Sequence, residues 1–219
     1  MDGGSHLFKE VEALKSIWKK LRQAPRREST GDEYRKRIVE ASDPNRIVAG
    51  RPEDRLHGLG WALERAKGRS LLDVGCHDGT VALAFAELGC TIIDGFDLNH
   101  ASIVEAKRKF ESSECDAAFE TADLALGVDG IRSQLRCNSY SIVCYLGVHQ
   151  HIRKQIGLEE LEALEWSLLD MTEEIFALRV PERFFDDLNA RIIQAGFEPV
   201  TELVRGNVGP SRIYQRISS

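Results

Sequence analysis

The chain has 219 residues, 35 acidic against 29 basic side chains and a formal net charge of −6, with 42% hydrophobic and 29% charged residues. That balance is of a water-soluble folded protein of about one well-buried domain plus an appendage, and it argues against a dedicated nucleic-acid binder. No apolar run reaches the ~18 residues that span a bilayer, and charges stand where a signal peptide has its apolar core, so a cytoplasmic protein is expected. The five cysteines show no CxxC spacing, so neither a disulfide framework nor a zinc site is expected.

Leu7, Val11, Leu14, Trp18 and Leu21 recur at helical spacing and predict an amphipathic helix with a basic opposite face. Docking on the main domain and docking on a second subunit both fit this stripe, so monomer and homodimer stay open. A polar linker follows, then a helix from about Glu33 to Ala41 carrying the basic cluster Arg35, Lys36 and Arg37. A further helix is predicted from Pro52 to Lys67, opened by proline and closed by Gly68, with Leu56, Leu59, Leu63 and Ala66 on its core face. Residues 1–50 read as an N-terminal helical extension or lid, and 51–219 as the catalytic domain.

Leu71 to Thr80, LLDVGCHDGT, is the stretch around which the chain is organised. An apolar strand reaches an acid at Asp73, turns through Gly75 and Gly79, and enters the helical run VALAFAEL. Glycines let backbone approach a ligand closely, and the helix start offers free N–H groups. The spacing does not fit the GxGxxG of dinucleotide sites, whose pyrophosphate would gain nothing from a carboxylate at the strand end. An acid there suits a ligand with an ammonium group.

CTIIDGFDLN then predicts a second strand ending in Asp97, where a carboxylate can accept from two adjacent ribose hydroxyls. Asp94 is its rival, and Asn99 is expected to cap the next helix, Ala101 to Phe110. A short strand near Cys115 to Glu120 leads to Asp123, and Tyr140 to Leu146 is a buried strand opening on a loop with Gly147, His149 and His151. A helix Leu158 to Met171, the strand EEIFALRVP, a helix Pro181 to Ala195 and two strand-like runs, EPVTELV and SRIYQRI, complete the chain. The last two are read as an antiparallel hairpin at the sheet edge.

Asp73, Gly75 and Gly79 resemble motif I of the class I S-adenosylmethionine-dependent methyltransferases, DxGxGxG, with His77 in place of the middle glycine. Asp97 and Asp123 match that family's later acids, and the resemblance covers about Arg69 to Ile217. It implies an α/β, Rossmann-like fold: a seven-stranded, mostly parallel sheet with core order 3-2-1-4-5 and helices on both faces. It further implies S-adenosyl-L-methionine as cofactor, held by Asp73, Gly75, Cys76, His77, Gly79, Asp97, Leu98, Asp123, Leu124, Leu146 and Gly147. In the family an acid at the position of Asp123 accepts from the adenine amino group. Arg51 and Arg55, in the helix before the first strand, are expected to face the substrate.

The implied activity is direct methyl transfer, with no metal, to a hydroxyl of a small-molecule or glycan-type acceptor. Neither an Asn-Pro-Pro-Tyr-type motif nor a Pro-Cys nucleophile is present in the sequence. His151 or His149 is the expected base, since both follow the fourth strand and a histidine ring titrates near neutral pH. Two other readings remain: an RNA or tRNA methyltransferase, suggested by the basic N-terminal segment, and a non-catalytic protein that binds the cofactor for regulation or partner docking.

Overall fold

The computed structural model describes residues 55–206 and 209–218. The two expected N-terminal helices, Arg51 and the start of the helix predicted at Pro52 lie outside them. Among the described residues no helix is long and apolar enough to cross a membrane.

The first helix with both ends inside the described residues is the short α1 (Gly60–Leu63). The single helix expected over 52–67 is interrupted: Gly58 adopts φ +79°, and a Cβ there would lie 3.1 Å from Ser211 Cβ. A left-handed glycine breaks the helical ladder and turns the chain against the strand that carries Ser211. Leu56, Leu59, Leu63 and Ala66 are buried as the spacing predicts, but around a bend.

Five parallel strands follow with their crossovers: β1 (Ser70–Val74), α2 (Thr80–Glu87), β2 (Ile92–Asp97), α3 (His100–Phe110), β3 (Asp116–Thr121), α4 (Val128–Arg132), β4 (Tyr140–Leu146), α5 (His149–Ile152), α6 (Leu158–Asp170) and β5 (Thr172–Arg179). The helix α7 (Glu182–Gln194) and the short strands β6 (Phe197–Pro199), β7 (Val204–Gly206) and β8 (Gly209–Arg216) end it. Among the described residues the sheet is eight-stranded, in the order β3-β2-β1-β4-β5-β8-β6, with β7 also paired to β8. The EPVTELV run yields the two short strands β6 and β7, and β8 lies between β5 and β6, antiparallel to both, instead of at the edge.

Apolar clusters cover both faces of the sheet. Leu71, Ile93, Ile142 and Ala177 pack beneath α1, α2 and α3, and Leu72, Val143, Phe176 and Leu178 beneath α6 and α7. Strands buried on both faces explain the continuous apolar runs of β1, β4 and β5. The strand order reverses between β1 and β4, whose C-terminal ends, like those of β2, β3 and β5, rim a common crevice.

Candidate cofactor and acceptor site

That crevice is a cavity of about 660 Å³, a size suited to a small molecule. Asp73, Gly75, Cys76 and His77 line it from the β1 turn, Asp97, Leu98 and Asn99 from the end of β2, and Ala122, Asp123 and Leu124 from the end of β3. Leu146, Gly147, Val148, His151, Ile152 and Gln155 wall it after β4, Arg179 closes β5, and Arg55 enters from upstream.

Asp73 sits at the bottom, 2% exposed, and its Oδ2 has no hydrogen-bond partner. Burial, reinforced by the charge of Asp97, pushes its carboxyl up to about 7. A buried carboxylate left this way is costly unless a cationic or donor group meets it. Gly75, at φ +74°, lets Val148 close down on the turn, since a Cβ would stand 2.9 Å from the valine side chain.

His77 occupies φ +50°, the backbone region that the resembled family fills with glycine. An L-residue is strained there, and its N–H donates to Asp97 Oδ2 at 2.9 Å. The Asn99 N–H donates to Asp97 Oδ1 at 2.8 Å, while the Asn99 side chain caps α3 through Ala101 and Ser102. Each Asp97 oxygen thus keeps a lone pair for a ligand hydroxyl, with its direction fixed by two backbone donors. Asp123 Oδ1 accepts from Ala125 N–H at 2.9 Å, so this acid is both a cap and part of the cavity wall.

Asp94, the rival of Asp97, is spoken for. It is 1% exposed and accepts from Arg136 Nε at 2.6 Å, from Arg136 N–H at 2.9 Å and from the Tyr140 hydroxyl. Burial and the charge of Asp94 push the Tyr140 phenol up, so it stays a donor.

Gly79 does not line the cavity. It is the left-handed cap of α2, at φ +70°, and a Cβ would meet Ala106 Cβ at 3.0 Å; the close approach it permits is to α3, not to a ligand. Beside it Asp78 binds Arg55, Lys109 and the Thr80 hydroxyl. Burial raises its carboxyl, but the His77 hydrogen bond and the charges of Arg55 and Lys109 prevail and hold it well below the usual carboxylate range.

The two histidines part company, because 149–152 is a helical turn in which residues two apart point to nearly opposite sides. Val148, His151, Ile152 and Gln155, at helical spacing, face the cavity. His149 faces the core, 3% exposed, with Nδ1 2.7 Å from Glu165 Oε1 and its ring 4.7 Å from that of Phe184. Glu165 is held in turn by Arg191. The expectation that His149 could serve as base is therefore corrected: its ring supports the α5 turn from behind.

Arg179 was not anticipated from the sequence. It is 4% exposed, donates from Nε to Ser211 Oγ at 2.8 Å and from Nη1 to the Arg55 carbonyl at 3.0 Å, and also binds the His57 carbonyl. The signal available was the one that found Asp97: a charged residue closing an apolar parallel strand.

No protein-family model and no curated protein sequence matches the chain. Solved structures do match. Magnesium protoporphyrin IX methyltransferase from Synechocystis PCC 6803 with bound S-adenosylmethionine is 22% identical over 86% of this chain and 92% of its own, with a TM-score of 0.61. A methyltransferase from Pyrococcus furiosus is 16% identical over 84% and 95%, TM-score 0.56. A TehB-like S-adenosylmethionine-dependent methyltransferase from Corynebacterium glutamicum is 16% identical over 85% and 98%, TM-score 0.53. At these identities the likeness is one of fold: this chain has the Rossmann-like fold of the class I S-adenosylmethionine-dependent methyltransferases.

Proposed function

We propose that the protein is an S-adenosylmethionine-dependent methyltransferase acting by direct transfer to a hydroxyl of a small-molecule or glycan-type acceptor. The observation that carries this reading is Asp73, a buried carboxyl with an unpartnered oxygen at the bottom of the cavity. An ammonium group is the ligand feature that removes its penalty, and the methionine end of the cofactor has one. The bound cofactor of the Synechocystis neighbour supports the same choice.

In this reading Asp97 accepts from the ribose hydroxyls, its carboxylate already aimed by the N–H groups of His77 and Asn99. Asp123 and the backbone beside Leu124 receive the adenine edge, and Leu98 covers a ring face. Leu146, Gly147 and Val148 wall the methionine side and exclude water. The cofactor supplies an electrophilic methyl group together with its leaving group, so the protein's work is to position two reactants. His151, on the cavity face of the α5 turn, takes the acceptor's hydroxyl proton at a ring nitrogen, a role worth ~10²–10⁴ in rate.

Labelled S-adenosylmethionine offered with a panel of hydroxyl acceptors tests the activity. Transfer that falls at least tenfold in His151→Ala, while His149→Ala lowers thermal stability more than cofactor affinity, supports these roles. Cofactor binding without transfer to any acceptor class points to the non-catalytic reading instead.

A further inference from the structure

Gln155 follows His151 by four residues, and the backbone between them continues the α5 turn, with the Lys154 N–H on the His151 carbonyl and the Gln155 N–H on the Ile152 carbonyl at 2.8 Å. Both side chains line the cavity, together with Val148 and Ile152. Ile152 is buried in the core beneath the turn, and Val148 packs on the same cluster. Two exposed polar groups are thus set into an apolar strip of wall.

The other glutamine of this turn has a structural duty. Gln150 donates from Nε2 to the Gly147 carbonyl at 2.7 Å and ties the turn to the end of β4. Among the described residues, neither the Gln155 amide nor the His151 ring has a protein partner. A carboxamide has two N–H donors and an acceptor oxygen, so an ion satisfies only one half of it. A hydroxyl both gives and takes a hydrogen bond and can meet either half. The arginines of the wall do not call for an anion: Arg55 is bound to Asp78, and Arg179 donates to Ser211 Oγ and to the carbonyls of Arg55 and His57.

We infer, on the basis of the methyltransferase reading, that Gln155 determines acceptor specificity and that the acceptor is a vicinal diol. Its reacting hydroxyl lies at His151, and the adjacent hydroxyl pairs with the Gln155 amide. Side chains four apart on a helical turn start about 5–6 Å from each other at Cβ, so the two can converge on neighbouring oxygens of one ring. A ring with hydroxyls on its edge and carbon on its face also fits the Val148 and Ile152 surface. The transfer itself is unchanged: the oxygen–methyl bond forms as the sulfur–methyl bond breaks, and His151 takes the proton.

The inference is tested on protein saturated with S-adenosylhomocysteine, by ligand-observed NMR titration of two matched sets: cis- and trans-cyclohexane-1,2-diol against cyclohexanol, and catechol against phenol. At least one diol binds about fivefold tighter than its mono-ol, the scale of one added hydrogen bond between neutral groups. The responding set tells a saturated, sugar-like ring from an aryl one. Gln155→Met, of similar length but without the amide, abolishes the preference, and Gln155→Asn, one methylene shorter, keeps part of it. Both variants keep S-adenosylhomocysteine affinity within about twofold of the parent.

Equal binding of diols and mono-ols, or no binding of any diol, overturns the inference. So does a preference unchanged in Gln155→Met, or a tenfold loss of S-adenosylhomocysteine affinity there, which would give Gln155 to the cofactor. Should Gln155→Met fail to fold, Gln155→Asn decides, and a preference equal to that of the parent contradicts the inference. Failure of the parent to bind S-adenosylhomocysteine at all counts instead against the methyltransferase reading itself.

Discussion

Two buried aspartates on adjacent strands, Asp73 and Asp94, have opposite fates. Both are nearly inaccessible, at 2% and 1% exposure. Asp94, in the body of β2, is saturated by Arg136 and Tyr140 and ties the loop before β4 to the sheet. Asp73, one residue from the end of β1, keeps an oxygen without a partner above a glycine turn. Burial of an acid therefore says little by itself. What separates a structural acid from one awaiting a ligand is whether the protein has satisfied it.

The sharpest break in this pairing comes from Asp94→Ala, which leaves the buried Tyr140 hydroxyl without its acceptor and the Arg136 guanidinium with Asp116 as its remaining carboxylate. About 3–4 kcal/mol of folding stability is expected to be lost, the scale of one buried donor left unsatisfied together with charge-assisted hydrogen bonds removed, read as a lower denaturant midpoint. A loss of cofactor affinity with stability intact would mean that Asp94 and not Asp97 serves the ligand.

Asp73→Asn moves the other way. Folded Asp73 holds its proton up to about pH 7, whereas a freely solvated aspartate gives it up near 3.8. The associated stability is therefore full at low pH and disappears as pH rises through that window. The ligand-free asparagine variant, which has no charge to bury, is expected to be more stable than the parent at pH 8, by roughly 2–4 kcal/mol at about 1.4 kcal/mol per pH unit. A variant less stable than the parent at that pH would show that the protein itself satisfies Asp73.

Asp97→Ala, which removes a carboxylate aimed by two backbone donors, is expected to cost about 2–3 kcal/mol of cofactor affinity with little change in melting temperature. The smallest effect is assigned to Gly79→Ala. Its left-handed φ and the 3.0 Å approach to Ala106 make this a substitution of stability, about 1–2 kcal/mol, with cofactor affinity unchanged in the folded fraction. Selective loss of affinity would return Gly79 to the ligand site.

What was legible in the sequence follows from how local each signal is. The strand, acid and glycine order around Asp73 and the strand-end position of Asp97 are written within a few residues, and the structure sets both on the cavity wall. The apolar runs of β1, β4 and β5 gave their boundaries closely because both faces are covered. The strand-end position favoured Asp97 over Asp94, but the structural duty of Asp94 could not be read locally, since Arg136 lies 42 residues from it.

The histidines show a different limit. Spacing of i and i+2 in a loop leaves either ring free to point inward, but the same spacing in a helical turn sends them apart, and the turn is set by packing of His149 on Glu165 and Phe184. Gly79 was assigned to the ligand because a motif glycine can serve either a ligand or a neighbouring helix, and only Ala106 distinguishes the two. Gly58 broke an apparently continuous helix for a comparable reason: its partner, Ser211, lies at the other end of the chain. Arg179 was missed because groups that position it come from distant parts of the chain, Ser211 Oγ from the antiparallel β8 and the carbonyls of Arg55 and His57 from before β1.

The most direct test of the account is calorimetric titration of S-adenosylhomocysteine into the parent protein and Asp73→Asn from about pH 5.5 to about 8.5. Because the Asp73 carboxyl is pushed up to about 7, it must lose a proton before it can meet an ammonium group. Parent affinity is therefore expected to be in the micromolar range above that pH and to fall by up to about tenfold per unit below it, with Asp73→Asn weaker and nearly flat. No binding at any pH, or equal and pH-independent binding by the two proteins, would contradict the account.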